Sequence, residues 1–169
     1  MKNVLFTIVA LCMCTLVFSQ ETKTVKTKAT NEIKVNLLMT VLSFPEISYE
    51  RVWGNNTGLG LSAGVPLENN DLKFQIMPYG RFYFGESAIK SFFIEGNMAI
   101  RERDEYYYDF SSYNSKTRNK TDFGLGVAFG YKYVNSKNFL GELFFGIGRT
   151  LGSYSQTYPC IGISIGTRL

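Results

Sequence analysis

Glu46 and Glu50 stand four residues apart in a stretch where Glu46, Ser48 and Glu50 alternate with Ile47 and Tyr49. In a strand that spacing puts both carboxylates on one face, and a pair of carboxylates is the basis of general acid–base chemistry. The rest of the sequence does not support catalysis. There is no histidine, so nucleophile–histidine systems and the commonest metal ligand are both missing. Cys160 is a lone thiol among small alternating residues and reads as packing. The acids are scattered, match no calcium loop, and accompany no Cys or His cluster. No enzymatic activity, metal or cofactor is expected.

The two glutamates belong to a wider set. Lys34, Glu46, Glu50, Arg81, Glu95, Lys132, Glu142 and Arg168 each fall on the polar side of an alternating segment, four acidic and four basic. Mixed signs brought together from several strands can satisfy one another where a lone buried charge would be costly. Arginine suits such a place because its planar fork pairs with carboxylates. The set is expected to form a polar network filling a narrow interior.

The elements that position these residues are strands. The sequence has 14 Phe, 11 Tyr and 16 Gly but only 4 Pro, a mixture favouring β-structure. In the last segment Ile161, Ile163, Ile165, Thr167 and Leu169 alternate with Cys160, Gly162, Ser164, Gly166 and Arg168. The same division runs through Phe123–Tyr133 and Gly58–Val65. Less regular alternation marks Ile33–Thr40, Glu46–Val52, Leu72–Phe84, Phe92–Ile100 and Phe139–Arg149. Eight antiparallel segments joined in sequence predict an all-β, eight-stranded up-and-down transmembrane β-barrel over residues 32–169. Most segments are long enough to cross a bilayer when tilted. Eight strands leave room only for side chains or one small ligand.

The connections alternate in length. Trp53–Asn56, Gly85–Ser91 and Val134–Asn138 read as short turns, whereas Pro66–Asp71, Arg101–Asp122 and Thr150–Thr157 read as longer loops. Outer-membrane barrels keep short turns on the periplasmic side and long loops outside. The first connection, Val41–Pro45, breaks the pattern by being short and apolar. Trp53, Phe84, Phe92, Tyr131, Tyr133 and Phe139 gather near the short-turn ends, where an aromatic girdle is expected. The longest connection carries Tyr106, Tyr107, Tyr108 and Phe110 beside mixed charge. These aromatics suit either the barrel rim or an interaction with a surface partner.

Residues 1–19 combine Lys2 with an apolar run and small residues before Gln20, the pattern of a secretory signal peptide. Residues 20–31 are rich in Thr and Lys and predict a flexible periplasmic lead-in. Loss of Lys2 with the leader leaves 17 basic and 14 acidic residues, too even a balance to suggest nucleic-acid binding. Only Cys160 would remain, so no intrachain disulfide can form.

Several stretches together carry a family resemblance: Asn36-Leu37-Leu38, Phe44-Pro45-Glu46-Ile47-Ser48-Tyr49-Glu50-Arg51 and Pro78-Tyr79-Gly80-Arg81-Phe82-Tyr83-Phe84. Further on come Phe93-Ile94-Glu95-Gly96, Phe123-Gly124-Leu125-Gly126, and Tyr158-Pro159 followed by Gly162-Ile163-Ser164-Ile165-Gly166. With these the chain resembles small outer-membrane β-barrel proteins of Bacteroidetes-type bacteria, within the broad OmpA/OmpX-like class. The resemblance implies the outer membrane of a Gram-negative bacterium, contact with its lipids, and assembly by the barrel-insertion machinery. It implies no settled activity. The expected role is structural or surface-interacting. A narrow pore is one alternative. A soluble lipocalin-like barrel, its greasy face turned inward around an apolar ligand, is another that periodicity alone does not separate.

Overall fold

The computed structural model describes residues 30–68, 71–85, 87–109, 114–151 and 156–169, with side chains of 106–109 and 114–117 excepted. The expected signal peptide and residues 20–29 of the lead-in lie outside the described residues. The strands are β1 (Thr30–Asn36), β2 (Glu46–Trp53), β3 (Thr57–Gly64), β4 (Leu72–Phe84), β5 (Lys90–Asp109), β6 (Asn114–Val134), β7 (Phe139–Leu151), β8 (Thr157–Pro159) and β9 (Gly162–Arg168), with a short helix α1 (Leu37–Val41) after β1. Successive strands from β1 to β7 pair antiparallel, β7 pairs with both β8 and β9, and β9 returns to pair with β1. β8 and β9 form one stave. Ile147 faces Pro159 and Phe144 faces Gly162 in a single register, and the Cys160 amide bonds to the Gly146 carbonyl between them. The result is a closed eight-stave antiparallel barrel. Carrying the registers once round brings the chain back to β1 about ten residues out of step, the stagger that tilted strands need to close.

Segment boundaries depart most from the sequence reading at three places. β1 starts two residues earlier than the expected barrel boundary and ends at Asn36, not Thr40. The Asn36 side chain accepts from the Met39 amide at 3.2 Å and so caps α1. Its amide group donates to the Ile161 carbonyl at 3.1 Å, taking over a bond the strand no longer supplies. The connection expected as a long loop, Arg101–Asp122, is instead strand on both sides up to Asp109 and from Asn114, with Tyr106, Tyr107 and Tyr108 opposite Thr117, Lys116 and Ser115. Alternation there is polar on both faces, so the greasy-outside pattern stops while β-pairing continues. Phe110 lies outside the described residues. The last stave begins at Thr157 rather than Cys160.

The faces follow the alternation closely. Val35, Ile47, Leu59, Phe82, Ile94, Val127, Phe145 and Ile165 are among the apolar side chains exposed outward, so that all eight staves contribute to one continuous belt. A soluble monomer rarely exposes an apolar patch beyond a few hundred Å² (~300–600 Å²). The lipocalin-like arrangement expected as an alternative would put these residues inside; the structure has the reverse. At the short-turn end Trp53, Phe84, Phe92, Tyr131, Tyr133 and Phe139 all face outward. Phe92 and Tyr131 have ring centroids 4.9 Å apart, and Lys90 lies 5.0 Å from the Tyr133 ring centroid.

The lumen is packed, and two glycine–tyrosine pairs show how. Gly60 stands directly opposite Tyr79, and Gly148 directly opposite Tyr158. In each pair the tyrosine ring occupies the space that a glycine Cβ would need. Adding a methyl group at Gly60 therefore forces out a ring that Arg81 covers from 4.7 Å. Gly60→Ala is expected to destabilise the barrel by about 1–3 kcal/mol through overpacking. Gly96→Ala, whose Cβ meets open space, is expected to be near neutral. Urea unfolding followed through Trp53, the single tryptophan, compares the two.

Candidate functional site

Inward-facing charges from every stave except β3 meet in the half of the lumen nearer the short turns. β3 offers Gly58 and Gly60 there, leaving space for side chains from opposite strands. Glu50, on β2, is the centre. It accepts from Lys34 Nζ at 2.5 Å, Arg81 Nη1 at 3.0 Å, Lys132 Nζ at 3.3 Å and the Tyr79 hydroxyl at 3.3 Å, and also from the Tyr83 hydroxyl. Glu142, across the lumen on β7, accepts from Lys34 at 3.1 Å and Arg81 at 2.9 Å, with Lys132 3.4 Å away. Arg81 Nε reaches Glu95 at 2.8 Å, and its guanidinium lies 4.2 Å from the Phe93 ring centroid. Lys132 reaches Glu32 at 2.6 Å and donates to the Tyr83 hydroxyl. Arg168 holds Glu32 through both Nη2 (2.6 Å) and Nε (3.1 Å).

The network is balanced, but not with the members expected. Of the eight residues read from the sequence, Lys34, Glu50, Arg81, Glu95, Lys132, Glu142 and Arg168 are brought together. Glu46 is not. It faces inward but is only half-buried, beside Asn36 and Ser62 toward the other end, and makes no ion pair among the described residues. Same-face position on β2 does not give same depth: Glu46 lies four residues along the strand from Glu50, opposite Asn36. Its place as fourth acid is taken by Glu32, fully buried and missed because the first strand was started at Ile33. The signal was present: Glu32 lies two residues before Lys34 and so on its face. Tyr79 and Tyr83 were on the correct face but were not counted as members.

This arrangement is poorly suited to catalysis or to holding a metal. Glu32, Glu50 and Glu142 bring carboxylate oxygens within 4.8 Å of one another, a geometry that could hold a cation. Lys132 Nζ already sits there, 2.6 Å from Glu32, 3.3 Å from Glu50 and 3.4 Å from Glu142. The ammonium group is the built-in counter-ion. The same contacts commit each of the three carboxylates to cations instead of leaving a free acid and base.

The opposite end carries the β5–β6 hairpin. β4 pairs with β5 only as far as Arg103, and β7 with β6 only as far as Phe123. Beyond these points, among the described residues, the two hairpin strands are in register only with each other. Arg103 Nε donates to Asp122 at 2.5 Å, Lys120 to Glu105 at 2.7 Å and Arg118 to Glu105 at 2.9 Å. Those two donors hold the Glu105 carboxyl below its ordinary range. Their support is present at neutral pH and is lost as pH falls through that lowered value. On the outer side Lys73 ties β4 to Asp104 at 3.0 Å and to Asn119 at 2.7 Å.

A family model described as "Protein of unknown function (DUF3575)" matches residues 6–166. The chain belongs to this DUF3575 family. No curated protein matches it in sequence. Among solved structures, the N-terminal β-barrel domain of Pseudomonas aeruginosa OprF is similar, with a TM-score of 0.55 and 13% identity over 83% of this chain and 97% of that one. Neisserial surface protein A gives a TM-score of 0.49 and 11% identity over 83% and 94%. The OprF likeness is one of fold, and it agrees with the closed eight-stave barrel seen here.

Removing one partner from the network should be more damaging than removing a matched pair. Glu50→Gln is expected to cost about 3–5 kcal/mol, because Lys34, Arg81 and Lys132 lose a shared buried counter-charge. The Lys34→Met/Glu142→Gln double variant keeps the charge balance and is expected to cost less than the sum of its single changes. Urea midpoints of protein refolded in detergent give this comparison.

Proposed function

We propose that the protein is a non-enzymatic outer-membrane barrel whose interior charges brace a closed lumen and whose role is exercised through the β5–β6 hairpin on the cell surface. The observation that carries this reading is the inversion of polarity. Apolar side chains form the outer belt, and four carboxylates and four cations pair inside. Only an apolar solvent around the barrel makes that arrangement favourable, and closure leaves no lipid-exposed strand edge. The aromatic band at the short-turn end supports a membrane interface at that level. Short turns then face the periplasm and the hairpin faces outward. Outer-membrane lipids and the barrel-insertion machinery are the partners this reading requires, and a signal peptide over residues 1–19 would deliver the chain to them.

The hairpin is the part best suited to meeting a surface partner, because among the described residues its two strands run on together past their register with β4 and β7. A pore would also use a charged interior. Here Arg81, Lys132, Tyr83 and Phe93 fill the section that a solute would cross, so the packing favours the closed reading.

Replacing residues 105–119 with a short turn is expected to leave membrane insertion intact while reducing attachment of whole cells to matrix or an envelope partner. Unchanged attachment across a broad partner screen would count against the hairpin's role. Purified protein in planar bilayers is expected to give no steady unitary conductance; a stable one would favour the pore.

A further inference from the structure

Two polar groups at the hairpin end of the lumen have no hydrogen-bond partner although both are shielded from solvent: Nε of Arg101 and the hydroxyl of Tyr158. Buried polar groups left unpaired are rare, and a bound ion or water is one of the things that accounts for them. Tyr158 is only 2% exposed. The two residues are neighbours, with the Arg101 guanidinium 5.4 Å from the Tyr158 ring centroid. The Tyr158 ring lies along the inner wall over Gly124 and Gly148, which have no side chains to interfere.

Toward this end of the lumen Arg101 and Glu46 are both without an ion pair among the described residues. Asp122 stands directly opposite Arg101 in the β5–β6 register but accepts from Arg103 at 2.5 Å. Glu105 is taken by Lys120 and Arg118. Among the described residues Arg101 has no ion-pair partner. Deeper in the lumen, Asn97 approaches Cys160 at 3.5 Å and holds Glu95 at 3.0 Å. Those groups close the floor, and the Glu95 charge opposes passage of an anion.

We propose that Arg101 and Tyr158 form a shallow binding site for the oxyanion end of a solute, a carboxylate or a phosphate, entering from the hairpin side. The guanidinium fork supplies charge and paired donors, and the tyrosine hydroxyl supplies a further one. The site is a dead end and not part of a transport path. It depends on the lumen geometry alone and not on the surface role proposed above.

The test uses the full chain refolded in detergent micelles with ¹⁵N-labelled arginine. The Arg101 Nε–Hε signal is followed while sodium phosphate and sodium acetate are titrated separately, with sodium chloride at equal ionic strength as reference. A saturable shift with phosphate or acetate, absent with chloride, is expected, and whichever anion produces it assigns the chemistry. Tyr158→Phe is expected to weaken that binding about tenfold. Shifts that do not saturate, or that chloride reproduces, would overturn the proposal. Because the readout is a signal of the unsubstituted protein, the result does not depend on the variant folding.

Discussion

Glu50 receives three cations and two tyrosine hydroxyls in a space from which water is excluded. In such a place a carboxylate without partners would be untenable, and a cation without carboxylates equally so. The barrel meets this constraint by drawing the donors from three different strands: Lys34 from β1, Tyr79, Arg81 and Tyr83 from β4, and Lys132 from β6. Because the partners lie on opposite walls, the interactions run across the lumen as well as along the sheet. The inner-face glycines follow from the same constraint, since long side chains from one wall need bare backbone on another. Buried ion pairs add little net stability over a well-packed apolar core. Here an apolar core would erase the distinction between inside and outside, whereas a charged one admits only one side of each strand.

The period-two division of each segment into a greasy and a small-or-charged side predicts the faces found on all eight staves. Depth along the lumen is another matter. Glu46 and Glu50 share a strand face, but only the stagger between staves puts Glu50 level with Lys34 and Arg81 and leaves Glu46 near the other end. That stagger comes from cross-strand register, to which no single segment's alternation is sensitive. Glu32 lies one residue before the segment read from Ile33, whereas β1 begins at Thr30. The hairpin was hidden by chemistry: past Arg101 both faces turn polar, so the alternation that marks a half-apolar strand vanishes although cross-strand ion pairs keep the backbone extended. At Asn36 the reverse happened. Leu37 to Thr40 continue an apolar rhythm, but the Asn36 side chain caps a helical turn and ends the strand.

The lumen thus has two halves of different character. Near the short turns four acids and four bases are matched one to another. Near the hairpin, among the described residues, Glu46 and Arg101 have no ion pair, and Arg101 Nε and the Tyr158 hydroxyl have no hydrogen-bond partner. Family membership and the OprF-like fold apply to the whole barrel equally, so they do not account for this asymmetry; the residues do. A closed, self-satisfied end and an unsatisfied mouth suit a protein that meets its environment at one rim.

The central claim is that the apolar face of every stave meets lipid while the charged face is sealed inside. Spin labels placed singly at residues 125 to 129 of β6 test it most directly, in protein reconstituted into bilayers. Collisions with oxygen, which concentrates in the bilayer, should be frequent at Leu125, Val127 and Phe129 and infrequent at Gly126 and Ala128, with a water-soluble nickel reagent reaching none of the five. The opposite phase, or access of the nickel reagent to Leu125, Val127 and Phe129, would contradict the account.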